Sequence, residues 1–280
     1  MVRIITDSAA DFTPAELEQK NIICIPLKVL FDTEEYEENI SLTKDGFYEK
    51  LLASKGFPKT SQAAPSVLAG LFEDAKAAGD EVIYITLSSA LSGTWQTAMF
   101  IREDVAYEKA YVVDSRNATG GQRMLVEHAV RLRDAGKSAE EIVAQVEALR
   151  ERIVLYACIN TLEYLYRGGR ISHLSYTLGT LAQIKPIIHV DHNGRVDIPA
   201  KAMGMRKGME HLCKQADIKK PDPDFPLYVM YTNDRSVAEN LALRLAEHGQ
   251  AVHPDNIIQV GAAIGSHIGP AACGLVYIGT

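Results

Sequence analysis

The sequence predicts an α/β protein of two domains, the first built on a largely parallel sheet covered by helices. Three observations carry this. Short β-branched runs alternate with helical patterns along most of the chain, which is the pattern of a parallel sheet with crossover helices. The 280 residues, at roughly 150 per domain, suggest about two domains. A composition that is 47% hydrophobic and 23% charged suits an ordinary globular chain and excludes disordered, collagen-like and coiled-coil classes.

In chain order, residues 2–6, 22–29, 82–87 and 111–113 read as strands, each short and bounded by polar or turn residues. Thr13-Pro14-Ala15-Glu16 opens a helix, with an N-cap, a first-turn proline and a glutamate at N3. Helical spacing continues over Pro65–Ala78 and residues 92–101, and residues 138–152 open with the capping pattern Ser-Ala-Glu-Glu. Residues 153–159 read as a strand, followed by a helical stretch to Tyr166 and a break at Arg167-Gly168-Gly169-Arg170. Strands at 185–190 and 196–199 flank Asp191-His192-Asn193-Gly194, an Asn-Gly hairpin. Helices at 204–216 and 236–247 then alternate with strands at 227–231 and 257–260, with a surface turn at 221–224. The domain boundary is expected near residue 152, giving domains 1–152 and 153–280.

Charge and cysteine usage narrow the function. A net charge of −7 offers no basic footprint for nucleic acid. No apolar run approaches the roughly 18 residues of a membrane helix, and polar residues follow Met1 too early for a signal peptide. A cytoplasmic protein is therefore expected. Cys24, Cys158, Cys213 and Cys273 form no C-x-x-C pair, and the eight histidines form no H-E-x-x-H, so no metal or cofactor is expected. Dinucleotide, P-loop and nucleophile-elbow motifs are all missing.

Four polar, glycine-rich segments remain. Thr6-Asp7-Ser8-Ala9-Ala10-Asp11 follows the first strand, where open sheets place ligands, although its Asp and Ser could equally bond their own backbone. Thr60-Ser61-Gln62-Ala63-Ala64-Pro65 opens a helix, and its hydroxyls could serve only as caps. Leu87-Ser88-Ser89-Ala90-Leu91-Ser92-Gly93-Thr94 supplies four hydroxyls at a helix start. A cap needs only one, so an anion site is favoured there. The last segment runs from Gly261 to Pro270, with His267 between Gly265 and Gly269. Such a backbone suits close packing around something small, and imidazole can donate to a carboxylate or carry a proton.

These segments, with Val-Asp-Ser at 113–115, Arg-Gly-Gly-Arg-Ile at 167–171 and Ile-Lys-Pro-Ile at 184–187, are similar to the motifs of the DegV family of bacterial lipid-binding proteins. The resemblance spans essentially the whole chain. It implies a two-domain fold related to the dihydroxyacetone-kinase substrate subunit, in which a parallel α/β domain and a smaller mixed-sheet α/β domain enclose one acyl chain. It also implies a fatty acid carboxylate held by Thr60 or Ser61, by Ser92 with the Gly93 backbone, and by His267, with Arg170 orienting or charge-balancing it. A separate ATP-dependent fatty acid kinase would then convert the bound acid to an acyl phosphate, this chain having no turnover alone.

The chain departs from the family pattern at Ala63, at Ala271 of Gly269-Pro270-Ala271-Ala272, and at Met203-Gly204-Met205 before Arg206-Lys207. The last weakens the basic surface expected to dock a kinase. Two enzyme readings stand beside lipid binding. One is a subunit acting on a small ketone or polyol with a reactive His267, and the other a serine hydrolase using Ser92 and His267. A long apolar cavity favours lipid over the ketone or polyol, and the hydrolase lacks an elbow motif and an obvious orienting acid.

Overall fold

The computed structural model describes residues 1–173, 176 and 183–280. Four parallel strands, β1 (Val2–Asp7), β2 (Ile22–Ile25), β6 (Glu81–Thr86) and β7 (Ala110–Asp114), form a sheet in the order β2-β1-β6-β7. Helices α3 (Pro65–Ala78) and α4 (Thr94–Val105) cover one face, burying Leu68, Phe72, Ala98 and Ile101 against Ile5, Val82 and Tyr84. Helix α1 (Pro14–Gln19) carries the capping box read from the sequence, with Thr13 and Glu16 bonded reciprocally.

The other face meets α5 (Thr119–Asp134) and α6 (Ala139–Arg150), and α5 also packs on a second sheet. That sheet is mixed and six-stranded, in the order β10-β9-β8-β13-β11-β12. Its strands are β8 (Ile153–Cys158), β9 (Ile184–Val190), β10 (Val196–Met203), β11 (Tyr228–Tyr231), β12 (Ile257–Gln259) and β13 (Cys273–Ile278). Only β11 and β12 pair in parallel. Helices α8 (Gly204–Ile218) and α9 (Arg235–Glu247) close its far side with Leu212, Cys213, Leu241 and Leu245. The core is thus a stack of helices, sheet, helices, sheet and helices.

A third sheet was not foreseen. Residues 22–29, read as one strand, divide at Pro26, which has no N–H to continue a ladder. Ile22–Ile25 stay in the parallel sheet, while β3 (Lys28–Phe31) turns into an antiparallel sheet with β4 (Glu34–Glu37) and β5 (Lys59–Ser61). Helix α2 (Lys44–Ala53) packs there through Phe47, Tyr48 and Leu51. Three further elements went unread: α5, β13, and the seven-residue helix α10 (Ala262–Ile268) inside the glycine-rich segment.

The hairpin turn between β9 and β10 reaches across to the first sheet. Ser88 Oγ, just past β6, donates to the Gly194 carbonyl at 2.8 Å. Gly194 has φ 77°, and a Cβ there would strike Ser88 and the Arg116 backbone, so the contact requires glycine.

Candidate binding site

A cavity of about 370 Å³ opens beyond the carboxyl ends of the parallel strands and continues onto the mixed sheet. Its size falls in the range of roughly 300–1,000 Å³ usual for small-molecule sites. The long part of its wall is apolar. Leu87 and Leu91 come from the loop after β6, Leu155 and Ala157 from β8, and Ile188 and Val190 from β9. Met230 of β11, Gly274 of β13, and Ile264 and Ile268 of α10 complete it. All six residues singled out from the sequence line this same cavity: Thr60, Ser61, Ser92, Gly93, Arg170 and His267.

Thr60 and Ser61 are not helix caps. They lie on β5, and α3 begins at Ala64 with no side-chain cap. Neighbours on a strand face opposite ways. Thr60 Oγ1 meets His267 Nε2 at 2.8 Å, while Ser61 is exposed. Ser92 precedes α4 rather than lying in it, since Gly93 is the N-cap. The Ser92 hydroxyl pairs with Thr94 Oγ1 at 2.8 Å and accepts from the Thr94 N–H at 3.3 Å. Among the described residues no acceptor takes the Gly93 N–H.

His267 sits on α10 and is 8% exposed. Burial, and then the Arg170 charge, pull its pKa down to about 3, so the imidazole is neutral at ordinary pH. Among the described residues its Nδ1 has no partner; it faces Gly168, where a Cβ would collide with the ring. Gly168 is the C-cap of α7 (Glu163–Arg167), the helix that ends at the predicted Arg-Gly-Gly-Arg break.

From that break Arg170 reaches the cavity. Its Nε donates to the Leu91 carbonyl at 2.9 Å, and another guanidinium nitrogen donates to the Gly168 carbonyl. The side chain is half-buried, and desolvation lowers its pKa. Among the described residues, no carboxylate lies within ion-pair distance of it. A partly desolvated cation with two carbonyl partners and no counter-charge is set to receive an anion.

The Thr6–Asp11 segment does not line the cavity. Asp7 accepts from the Leu87 N–H at 2.7 Å, from Gln122 at 3.1 Å and from the Ala9 N–H at 3.2 Å, tying the ends of β1 and β6 to α5. Burial nevertheless raises its pKa to about 6. Asp11 accepts from the Gly261 N–H at 2.8 Å, just ahead of α10. Neither reading of this segment describes it fully: it is outside the cavity, and of these bonds only the one from Ala9 to Asp7 is to its own backbone, the others tying it to distant elements.

The sequence did not single out two lining residues. Gln62 Oε1 accepts from Thr97 at 3.1 Å and lies beside Gly93. Thr119 opens α5 at φ 48°, a left-handed conformation uncommon for a β-branched residue, and lies against the Met230 sulfur at 2.6 Å. Neither has a local signal beyond belonging to a polar stretch. Among the described residues no helix is long and apolar enough to cross a membrane, and no cluster of side chains suits a metal ion.

A family model described as an uncharacterised protein of the DegV family matches residues 1–280. A DegV domain-containing protein of Streptococcus pyogenes is 33% identical over 282 aligned positions, covering 99% of this chain and 97% of the relative. Among solved structures, a DegV family protein from Thermus thermophilus, described as fatty acid binding, superposes with a TM-score of 0.89 at 29% identity, covering 100% of this chain and 99% of its own. DegV of Bacillus subtilis, described as a fatty acid binding protein, gives a TM-score of 0.86 at 28% identity, again covering 100% and 99%. The chain belongs to the DegV family.

Proposed function

We propose that this member of the DegV family binds a single long-chain fatty acid, its carboxylate among Thr60, Ser92, Gly93, Arg170 and His267 and its tail along the apolar wall. The observation that carries the reading is Arg170, a cation without a carboxylate partner among the described residues, at the polar end of a mostly apolar cavity. A bound carboxylate supplies the missing charge. Burying some fifteen methylenes at roughly 0.8 kcal/mol each gives ample gross affinity before ordering costs.

The hydrogen-bond inventory supports a role for the Thr60–His267 pair. A buried N–H without an acceptor is rarer than an unused acceptor, and His267 Nδ1 has no partner among the described residues. The tautomer with its proton on Nε2 therefore fits better. In that form His267 donates to Thr60 Oγ1, and the Thr60 hydroxyl keeps its own proton for the ligand. Ser61, on the exposed side of the strand, serves the rim. On this reading the acid lies between the units formed by residues 1–152 and 153–280.

The chain acts without turnover of its own and presents the acid to an ATP-dependent fatty acid kinase for acyl phosphate formation. Lys201, Arg206 and Lys207 offer the basic surface for that partner, weakened by Met203, which is 60% exposed. The apolar wall speaks against a small ketone or polyol. Pairing of His267 with Thr60, and of Ser92 with Thr94, speaks against a Ser92–His267 hydrolase.

Native mass spectrometry of protein purified from bacteria tests the binding. The expected result is one adduct of fatty acid mass. A clean apo mass that persists after adding palmitate and oleate would overturn the reading. Reconstitution with a cognate kinase and ATP tests acyl phosphate formation separately.

A further inference from the structure

Helix α10 carries four cavity-lining residues, Ala263, Ile264, His267 and Ile268. Two acids hold its first turn. Asp11 Oδ1 accepts from the Gly261 N–H at 2.8 Å, and Glu38 Oε1 accepts from the Ala263 N–H at 3.2 Å. The two carboxyls converge, because a Cβ on Gly261 would run into both. Both are buried, at 1% exposure each.

We infer that Asp11 and Glu38 share one proton across the start of α10, and that this protonation positions the helix and so the fatty acid site. The inference rests on the fatty acid reading above for its functional side. Two buried carboxylates in mutual repulsion cannot both ionise cheaply, so one proton belongs to the pair rather than to either residue. Partners divide unevenly. Glu38 Oε2 meets the Ser8 hydroxyl at 2.6 Å, whereas Asp11 Oδ2 has no partner among the described residues.

The surrounding charges do not neutralise a second carboxylate. Lys44 approaches from α2, but its ammonium is bonded to the Asp11 and Gln259 carbonyls at 2.7 and 2.9 Å. Arg123 on α5 is engaged by Glu16 and Glu127. Asp7 on β1 adds like charge, and burial pushes the Cys24 thiol and the Tyr48 phenol up, keeping both neutral. Burial raises the two acids themselves, Asp11 to about 6 and Glu38 to about 7. Loss of the shared proton places two like charges under one helix start, and the wall carrying His267 shifts with it.

The test follows the His267 ring by NMR across about pH 5.5 to 8.5 in the full-length protein. His267 itself stays neutral in that window, so any movement of its resonances reports a neighbour. Wild-type resonances should titrate there, and Glu38→Gln and Asp11→Asn should each abolish the titration. In parallel, methyl palmitate, which has no titratable group, should bind wild type about three- to tenfold more weakly at the alkaline end, as a shift of up to about one pKa unit in the pair would require. Glu38→Gln should bind it equally at both ends. Flat wild-type resonances, a titration that survives both substitutions, or a pH-independent affinity in wild type would each overturn the inference. The wild-type titration needs no variant to fold. If palmitate and its ester bind at no pH, the fatty acid reading fails, and the His267 titration still decides the shared proton.

Discussion

Thr60 and His267 lie 207 residues apart in the chain and meet through a 2.8 Å hydrogen bond. One sits on the edge strand of the small antiparallel sheet, the other near the end of α10. The polar end of the cavity therefore depends on how those two elements are docked.

Arg170 tests the charge at that end. Arg170→Ala should weaken palmitate binding by about 1–3 kcal/mol, or roughly ten- to a hundredfold. Binding of methyl palmitate, which lacks the charge, should change little. Ser92→Ala and His267→Ala should follow the same pattern. Paired titrations of acid and ester by calorimetry measure it, and equal losses for both ligands would mean that packing rather than charge had been removed.

Gly168 tests the seating of His267. The ring leaves no room for a Cβ at this position, so Gly168→Ala must displace it from Thr60. Overpacking of this kind costs about 1–3 kcal/mol. The expected outcome is a lower urea midpoint together with weaker palmitate binding. Wild-type behaviour on both measures would show that the break yields easily.

His267 also contributes to the acid side of the stability curve. It is neutral in the fold with its pKa held near 3 by burial and Arg170, against an unfolded value near 6.5. Below 6.5 the unfolded chain binds the extra proton, so this contribution is complete above that pH and falls as pH drops toward 3. Between pH 7 and pH 4 the loss is on the order of 3 kcal/mol. Urea unfolding of wild type and His267→Gln at several pH values should show the difference between them growing in favour of the variant as pH falls. A constant difference would show that the ring takes up its proton in the fold.

Ala271 stands at φ 57°, a left-handed position where a Cβ is unfavourable. Its N–H is fixed by Asn233 Oδ1 at 2.6 Å, and the next one by Thr232 at 3.0 Å. Ala271→Gly should therefore raise stability by about 0.5–1 kcal/mol, read as a higher melting temperature. A lower one would mean that unfolded-state entropy outweighs the relieved strain.

Local chemistry made much of the fold legible. The β1 and β6 runs, the proline-led α3, the capping boxes of α1 and α6, and the Asn-Gly hairpin all announce themselves within a few residues. Helix α5 does not. It is wedged between two sheets and buried on most sides, and its first charge, Arg123, is 3% exposed over the Phe12 ring. The exposed charges, Arg131 and Asp134, come only near its end, so the first half shows no wet face. The third sheet escaped because its strands are four residues or fewer and Pro26 falls in mid-run. At the site, motif order brought the right loops to notice, but the Thr60–His267 pairing is a product of tertiary docking. Glu38 gave no signal at all, as one acid within Glu-Glu-Tyr-Glu-Glu.

The cavity wall has a temporal consequence. It runs from Leu27 to Gly274, so the final strand is part of the container. A chain emerging from the ribosome can assemble its first sheet early, as N-terminal units do, yet it has no enclosed space for a lipid until β13 has been made and inserted beside β8. On the fatty acid reading, the site is complete only once β13 is in place, and a bound ligand then holds that strand to the loop at Leu27 by mass action.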